Sequence, residues 1–445
     1  MNENYWSHPS YRGPLVKRIP RSARLTCANS ISDLIKSILQ QPENIDGWAD
    51  LLTFGSFILL KPRRGGNKRN LTKITQQRIL AWQSGQRKHD QEWEQRSQKV
   101  VKESELSRHL ANAVTSKLEE GNFKAAIRFI CSDDRPATDS PETVAALRAK
   151  HPTSAPDRRV PCSPDSARFD AIQISNKDIV DAVRSFPAGS AGGPDGITPQ
   201  HLKDLLAAAT DDQLLNQLVQ LVNLLLHGGL SQQINEIIYG ANLIALQKKD
   251  GGVRPIAVGY TWRRLAAKCA NTYAVNKLSA QFAPIQLGVG VPGGAEAAVH
   301  ATRRYVMSMS NENVLVKLDF ENAFNSLRRD CMLEAVAKDM PEIYRFAHAS
   351  YSCGSVLKFG THVIMSEEGP QQGDPLGPML FCLTIHPLLM SLKSELRIGF
   401  LDDVTLGGPE KVVSEDITVV ESEAAKLGLQ LNKLKCEITS RVNRQ

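Results

Sequence analysis

The sequence contains no apolar run long enough to cross a bilayer, which argues against a membrane-spanning protein. Its 8 cysteines (Cys27, Cys131, Cys162, Cys269, Cys331, Cys353, Cys382 and Cys436) include no C-x-x-C pair, so no zinc or redox motif stands out. No secretory signal is visible at the start, and the expectation is an intracellular protein, nuclear or cytoplasmic and not secreted, with reduced thiols. There is no internal repeat and no heptad run, which sets aside solenoids and coiled coils. Acidic charge is scarce near the N-terminus. Residues 1–110 hold 19 Lys/Arg against 10 Asp/Glu, a net +9; the whole chain, with 54 and 47, carries +7, which leaves −2 for residues 111–445. The stretch KPRRGGNKRNLTKITQQR (61–78) has seven basic residues and no acidic one. It reads either as a phosphate-contacting patch or as a solvated charged face.

What is present is ample for a packed protein: 445 residues, 42% hydrophobic and 23% charged, enough for two or three domains. Residues 1–24 are rich in Pro and Arg and read as a flexible basic tail. Residues 25–131 read as a helical, basic N-terminal region expected to contact RNA. Within it Ser30 or Ser32 caps DLIKSIL, and DGWADLLTFGSFILL is apolar enough for a buried helix. Residues 132–170, with prolines among Ser, Asp and Arg, read as a linker. Helices and strands alternate beyond it. ANLIALQKKDGGVRPIAV reads as two strands around a basic Gly-Gly turn, and NVLVKLDFENAFNSL as a buried strand passing into a helix. EEGPQQGDPLGPMLFCLTIHPLLMSL reads as a Gly/Pro loop before a long apolar helix.

Two aspartates draw attention by where they sit. Asp319 ends the β-forming run VLVKL (314–318), and Asp402 follows IGFL (398–401). Taken alone, Asp402-Asp403 reads more readily as the solvated tip of a hairpin. A carboxylate at the end of a buried strand is costly unless it is paired or metal-bound. Neighbouring strands would bring Asp319 and Asp402 together, and Mg²⁺ takes oxygen ligands, typically one or two carboxylates plus substrate phosphates. Two such ions about 3.5–4 Å apart serve in-line phosphoryl transfer.

The order LDFENAF, GPQQGDPLGPMLF, FLDD, LGLQLNKLK resembles palm motifs A, B, C and D of reverse transcriptases of the non-LTR (LINE-like) retrotransposon type. AGGPDGITPQHLK and ANLIALQKKDGGVRPIAV are similar to the family's finger motifs, and the likeness runs from about residue 180 to 440. The resemblance implies an α+β right-hand polymerase: fingers over 171–313 and a palm over 314–445, its antiparallel sheet backed by helices, preceded by the helical N-terminal region. It implies an RNA-directed DNA polymerase that uses two Mg²⁺ ions, with Mn²⁺ as a substitute, and takes an RNA template, a DNA primer and dNTPs.

Site residues follow from the same resemblance. Asp319 and Asp402 match the metal-binding aspartates and Asp403 the third acidic residue, with the Phe320 carbonyl as a further metal ligand. Phe324 matches the aromatic gate beneath the sugar, whose ring would clash with a ribose 2′-OH; by itself it reads as a core aromatic. Gln372 and Gly373 match the loop that lies against the incoming nucleotide and template, where glycine lets backbone approach closely. Lys248 and Arg254 resemble the finger residues that clamp the triphosphate, although Lys248, beside Lys249, also reads as exposed hairpin charge. Lys435 resembles the lysine that gives a proton to pyrophosphate; position alone fits a surface lysine equally.

Some features depart from the family pattern. Leu401 stands where Ala or Val is more usual. Only ten residues follow Lys435, so the expectation is a core cut off after motif D with the thumb absent. Residues 1–170 carry no acidic nuclease pattern, and no Cys/His knuckle or RNase H segment stands out. The alternative is a non-catalytic nucleic-acid-binding remnant of a retroelement, which the basic N-terminal region also fits. A viral RNA-dependent RNA polymerase shares the palm logic but is disfavoured by Phe324.

Overall fold

Two β-sheets carry the architecture, and strand pairing explains which residues face each other. The computed structural model describes residues 15–62, 70–85 and 111–441, apart from positions 113, 120, 122, 132–134, 166, 249 and 250. The strands are β1 (Arg135–Pro136), β2 (Ala241–Gln247), β3 (Val253–Gly259), β4 (Asn313–Leu318), β5 (Ser355–Phe359), β6 (His362–Ser366), β7 (Leu396–Phe400), β8 (Asp403–Pro409) and β9 (Glu437–Ser440).

The first sheet is built on β2. Strand β3 pairs antiparallel along its whole length, while β5 runs parallel to its start and β1 antiparallel to its end on the other edge. Strand β6 closes a hairpin with β5. Its apolar face is covered by the helix Pro141–Ala149, whose Val144 and Leu147 meet Leu243, Ala257, Phe359 and Ile364. The second sheet, in the order β7-β8-β4-β9, is antiparallel throughout. Behind it lies the helix Gly377–Ser391, buried along most of its length as its near-continuous apolar sequence demands. The fold is thus α+β, with the antiparallel sheet backed by helices. No described helix is long and apolar enough to cross a membrane.

One hydrophobic core runs from Val16 to Leu429 and takes in the N-terminal helices. This overturns the reading of residues 15–24 as part of a loose tail. Val16 and Ile19 are buried, the Val16 amide donates to the Leu59 carbonyl (2.8 Å), and Arg24 pairs with the buried Asp204 (3.0 Å). Residues 1–14 lie outside the described residues. The first helix starts at Arg24, not at a Ser30 or Ser32 cap. Both serines are interior and buried, and the Ser32 hydroxyl donates to Gln217 on the helix Gln213–His227. The run RLTCANS contains no helix breaker, and packing against Gln213–His227 extends the helix through it.

The Pro-rich stretch expected as a linker is not a spacer. It carries β1 and the helix Pro141–Ala149, then lies along the second half of the chain as a strap. Ser154 and Ala155 donate their amides to Glu367 and Glu368 (2.9 and 3.1 Å), and Asp157 takes a bidentate pair from Arg328 (3.0 and 2.9 Å). Prolines end helices, but they equally suit an extended strap whose few free amides find partners outside it. Of the basic stretch 61–78, residues 63–69 lie outside the described residues; Lys61 and Lys73 are exposed, whereas Arg78 turns inward onto the Leu60 carbonyl.

Candidate active site

The register of the second sheet sets the site. Leu318 pairs with Val404 and Phe400 with Asp403, so the β7–β8 turn shrinks to Leu401 and Asp402, and Asp319 leaves β4 beside it. Asp402 is therefore both a hairpin tip and a cleft residue. Leu401 sits at φ 58. That left-handed region costs a residue with a Cβ about 1–2 kcal/mol. Gln286 holds the tip in place. It is fully buried, its Oε1 accepts from the Leu401 and Gly288 amides (both 3.0 Å), and its Nε2 donates to the Leu401 carbonyl (3.3 Å). The chain around it hydrogen-bonds Gly399 on both sides, through Leu287 and Ile285 (each 2.8 Å). A Cβ at Gly399 would come within 2.9 Å of Gln286 Nε2 and 2.6 Å of Leu389 Cδ1, so a side chain there would displace the Gln286 amide or the Leu389 side chain.

Asp319 is set from the other side. Its carbonyl accepts from the Asn432 amide (2.8 Å), the Glu321 amide donates to the Gln430 carbonyl (2.8 Å), and Phe320 bridges to Leu431. This brings Asn432 and Lys435 to the mouth of a cavity of about 570 Å³ that Asp319, Phe320 and Asp402 also line. Burial holds the Asp402 carboxyl above its usual range. Its own amide works against this, the Asp403 and Asp319 charges add to it, and Lys248 opposes it. Asp319 and Asp402, two carboxylates lining one cavity, form a donor set suited to a hard divalent cation. No group of three or more His, Cys, Asp or Glu among the described residues forms a ready metal cage. Asp403 is half-exposed, does not line the cavity, and lies 3.6 Å from Lys317 Nζ.

The facing wall comes from the first sheet and the loop before the helix Gly377–Ser391. Lys248, where the β2–β3 hairpin turns, and Arg254 on β3 both line the cavity. Gln372 and Gly373 are pressed against β3: the Ala257 amide donates to the Gln372 carbonyl (2.6 Å), and a Cβ at Gly373 (φ 122) would lie 2.3 Å from the Ala257 carbonyl oxygen. Phe324 lines the cavity and stacks on Phe381 at 4.7 Å and 10°, so it is a cleft wall and a core aromatic together. Nine of the ten residues singled out from sequence thus share one cavity; Asp403 stands at its edge.

Four contributors were not singled out from the sequence. Behind the Gln372 loop, buried Asp374 accepts from Arg263 (2.8 Å) and the Tyr351 hydroxyl (2.5 Å), and Arg263 also reaches Gln371 Oε1 (2.6 Å). This buried pair keeps hydrogen-bond partners on both sides, the condition under which buried charge is tolerated. Gln286 is the third. The fourth is Lys150, which enters the cavity from the end of the helix Pro141–Ala149. Each acts through partners far along the chain, which no local pattern announces.

Residues 246–444 match the family model described as reverse transcriptase (RNA-dependent DNA polymerase). The chain is 26% identical over 279 residues to the retrotransposable element SLACS 132 kDa protein of Trypanosoma brucei gambiense; the alignment covers 60% of this chain and 23% of that protein. Among solved structures, apo telomerase from Candida tropicalis aligns at 13% identity and TM-score 0.36, over 46% of this chain and 44% of that one. Candida albicans telomerase, solved with a fragment of telomeric RNA, aligns at 11% identity and TM-score 0.36, over 46% and 42%.

Proposed function

We propose, for a chain whose residues 246–444 match the reverse transcriptase family model, the role of an RNA-directed DNA polymerase core of the non-LTR retrotransposon type that adds dNTPs to a primer 3′-OH on an RNA template. The observation that carries this reading is the meeting of Asp319 and Asp402 with Lys248, Arg254 and Lys435 around one cavity.

Asp319, Asp402 and the Phe320 carbonyl would hold divalent cations, Mg²⁺ or Mn²⁺, and Asp403 would add negative charge at the edge of the site. When bound, such ions neutralise the phosphates and acidify the primer hydroxyl. Lys248 and Arg254 grip the triphosphate from the facing wall, Arg by its planar fork. Gln372 and Gly373, which line the cavity, would lie against the incoming nucleotide and template. Phe324, pinned by Phe381, blocks the space a ribose 2′-OH would need. Lys435 would give a proton to the departing pyrophosphate, a role its place on the cavity lining supports.

Primer extension tests this. Purified chain with oligo(dT) on poly(rA), dTTP and Mg²⁺ is expected to extend, and Asp402→Ala to lose about 10²-fold or more, the scale of removing a preorganised electrostatic group. Absence of extension by the unaltered chain, with RNA binding intact, would favour a non-catalytic nucleic-acid-binding protein instead.

A further inference from the structure

We propose that Lys150, supplied from outside the matched polymerase domain, is an anion-binding residue of the cleft that contacts a phosphate of the substrate. The inference rests on the polymerase reading and extends it to a part of the chain that the reading does not use. The helix Pro141–Ala149 is anchored beneath the first sheet by buried Val144 and Leu147. At its end, the Lys150 carbonyl accepts from two side-chain amides of the opposite wall, Asn322 Nδ2 at 3.0 Å and Asn325 Nδ2 at 2.9 Å. Asn322 is three residues past Asp319 and itself holds a left-handed backbone (φ 51). The strap is fixed immediately afterwards, by the amides of Ser154 and Ala155 on Glu367 and Glu368 and by Arg159, whose amide donates to Asp330 (2.9 Å).

These ties leave the ammonium as the free end of a fixed residue. Lys150 is only partly exposed and lines the same cavity as Asp319, Phe324 and Lys248. Among the described residues no carboxylate lies within ion-pair distance of it. A partly buried lysine with no ion pair among the described residues, facing a cleft that Lys248, Arg254 and Lys435 line together with Asp319, Glu321, Asp374 and Asp402, is suited to a phosphate. Phosphate is the shared chemistry, carried either by the incoming nucleotide or by the primer–template backbone.

Full-length Lys150→Ala and Lys150→Arg separate these. Because the ties run to the backbone carbonyl, both variants are expected to melt as the unaltered chain does. For a nucleotide contact, Lys150→Ala raises KM and the equilibrium Kd for dTTP about 10-fold while kcat holds, and Lys150→Arg restores most of the loss. For a backbone contact, affinity for labelled primer–template falls instead, and its salt slope drops by about one. Either result supports the proposal and identifies the phosphate. If dTTP and primer–template bind Lys150→Ala as they bind the unaltered chain, the proposal is overturned, even where that chain extends primers normally. An unaltered chain that extends nothing yet shows Lys150-dependent dTTP binding would instead overturn the polymerase reading alone.

Discussion

At the scale of single residues, Asp402 carries a burden that the fold tolerates for the sake of the site. Burial and the charges of Asp403 and Asp319 raise its folded-state proton affinity above the ordinary carboxylate range. For such a group the favourable contribution is present at pH below the ordinary carboxylate value and is lost as pH rises through the raised one. At neutral pH the ionised side chain therefore weighs against the metal-free protein. Asp402→Asn is expected to melt higher than the unaltered chain in EDTA at neutral pH, with the gap narrowing as pH falls. Added Mg²⁺ is expected to stabilise the unaltered chain and not the variant. Differential scanning fluorimetry measures both, and a variant that melts no higher in EDTA contradicts this account. The same scale shows why some single residues were legible. A carboxylate after VLVKL is chemically conspicuous, and Phe324 could be read two ways because it both lines the cavity and stacks on Phe381.

At the scale of elements, the β7–β8 hairpin does not hold its own tip. Its strained Leu401 is tied to the segment Ile285–Gly288 through one side chain, Gln286. Truncation strands the Leu401 amide and carbonyl, at a cost of about 1–3 kcal/mol per buried unsatisfied group. A displacement of about 1 Å at a catalytic group can cost roughly 10²-fold. Gln286→Ala is accordingly expected to lower kcat for primer extension about 10–100-fold and to raise the Mg²⁺ concentration for half-maximal rate, with little change in primer–template affinity. Gln286→Glu, which keeps the acceptor for Leu401 and Gly288 but loses the donor, should fall between. A Gln286→Ala enzyme within about twofold of the unaltered kcat would mean that the hairpin is self-supporting. The segment from Thr261 to Ser308 is mostly helix, and nothing in its composition sets Gln286 apart.

At the scale of the whole molecule, the strap joins the two sheets. The helix Pro141–Ala149 packs beneath the first sheet, and residues 150–159 are hydrogen-bonded to residues that flank or precede the second. Leu147 is completely buried at that junction. Leu147→Ala is expected to reduce unfolding free energy by about 2–5 kcal/mol. It should also speed hydrogen exchange in Pro141–Ala149 and in the β2–β3 hairpin together, because both lose the same packing. Faster exchange in the helix alone would identify the strap as an appendage with no hold on the hairpin.

The sequence by itself determined what local chemistry can express. Strand-forming runs ended in aspartate, glycine and proline framed the loop over residues 369–378, and the motifs followed one another in a recognisable order. These cues survive because strand propensity, turn conformation and strand-end carboxylates act over a few residues. The tertiary structure alone decided the rest. Residues 15–24 and the Pro-rich stretch look loose as sequence, yet their polar groups find partners across the chain. Gln286 meets Leu401 across 115 positions, Arg263 meets Asp374 across 111, and Lys150 meets Asn325 across 175. A buried hydrogen bond is specified by where two segments cross, and that crossing follows from the packing of one continuous core.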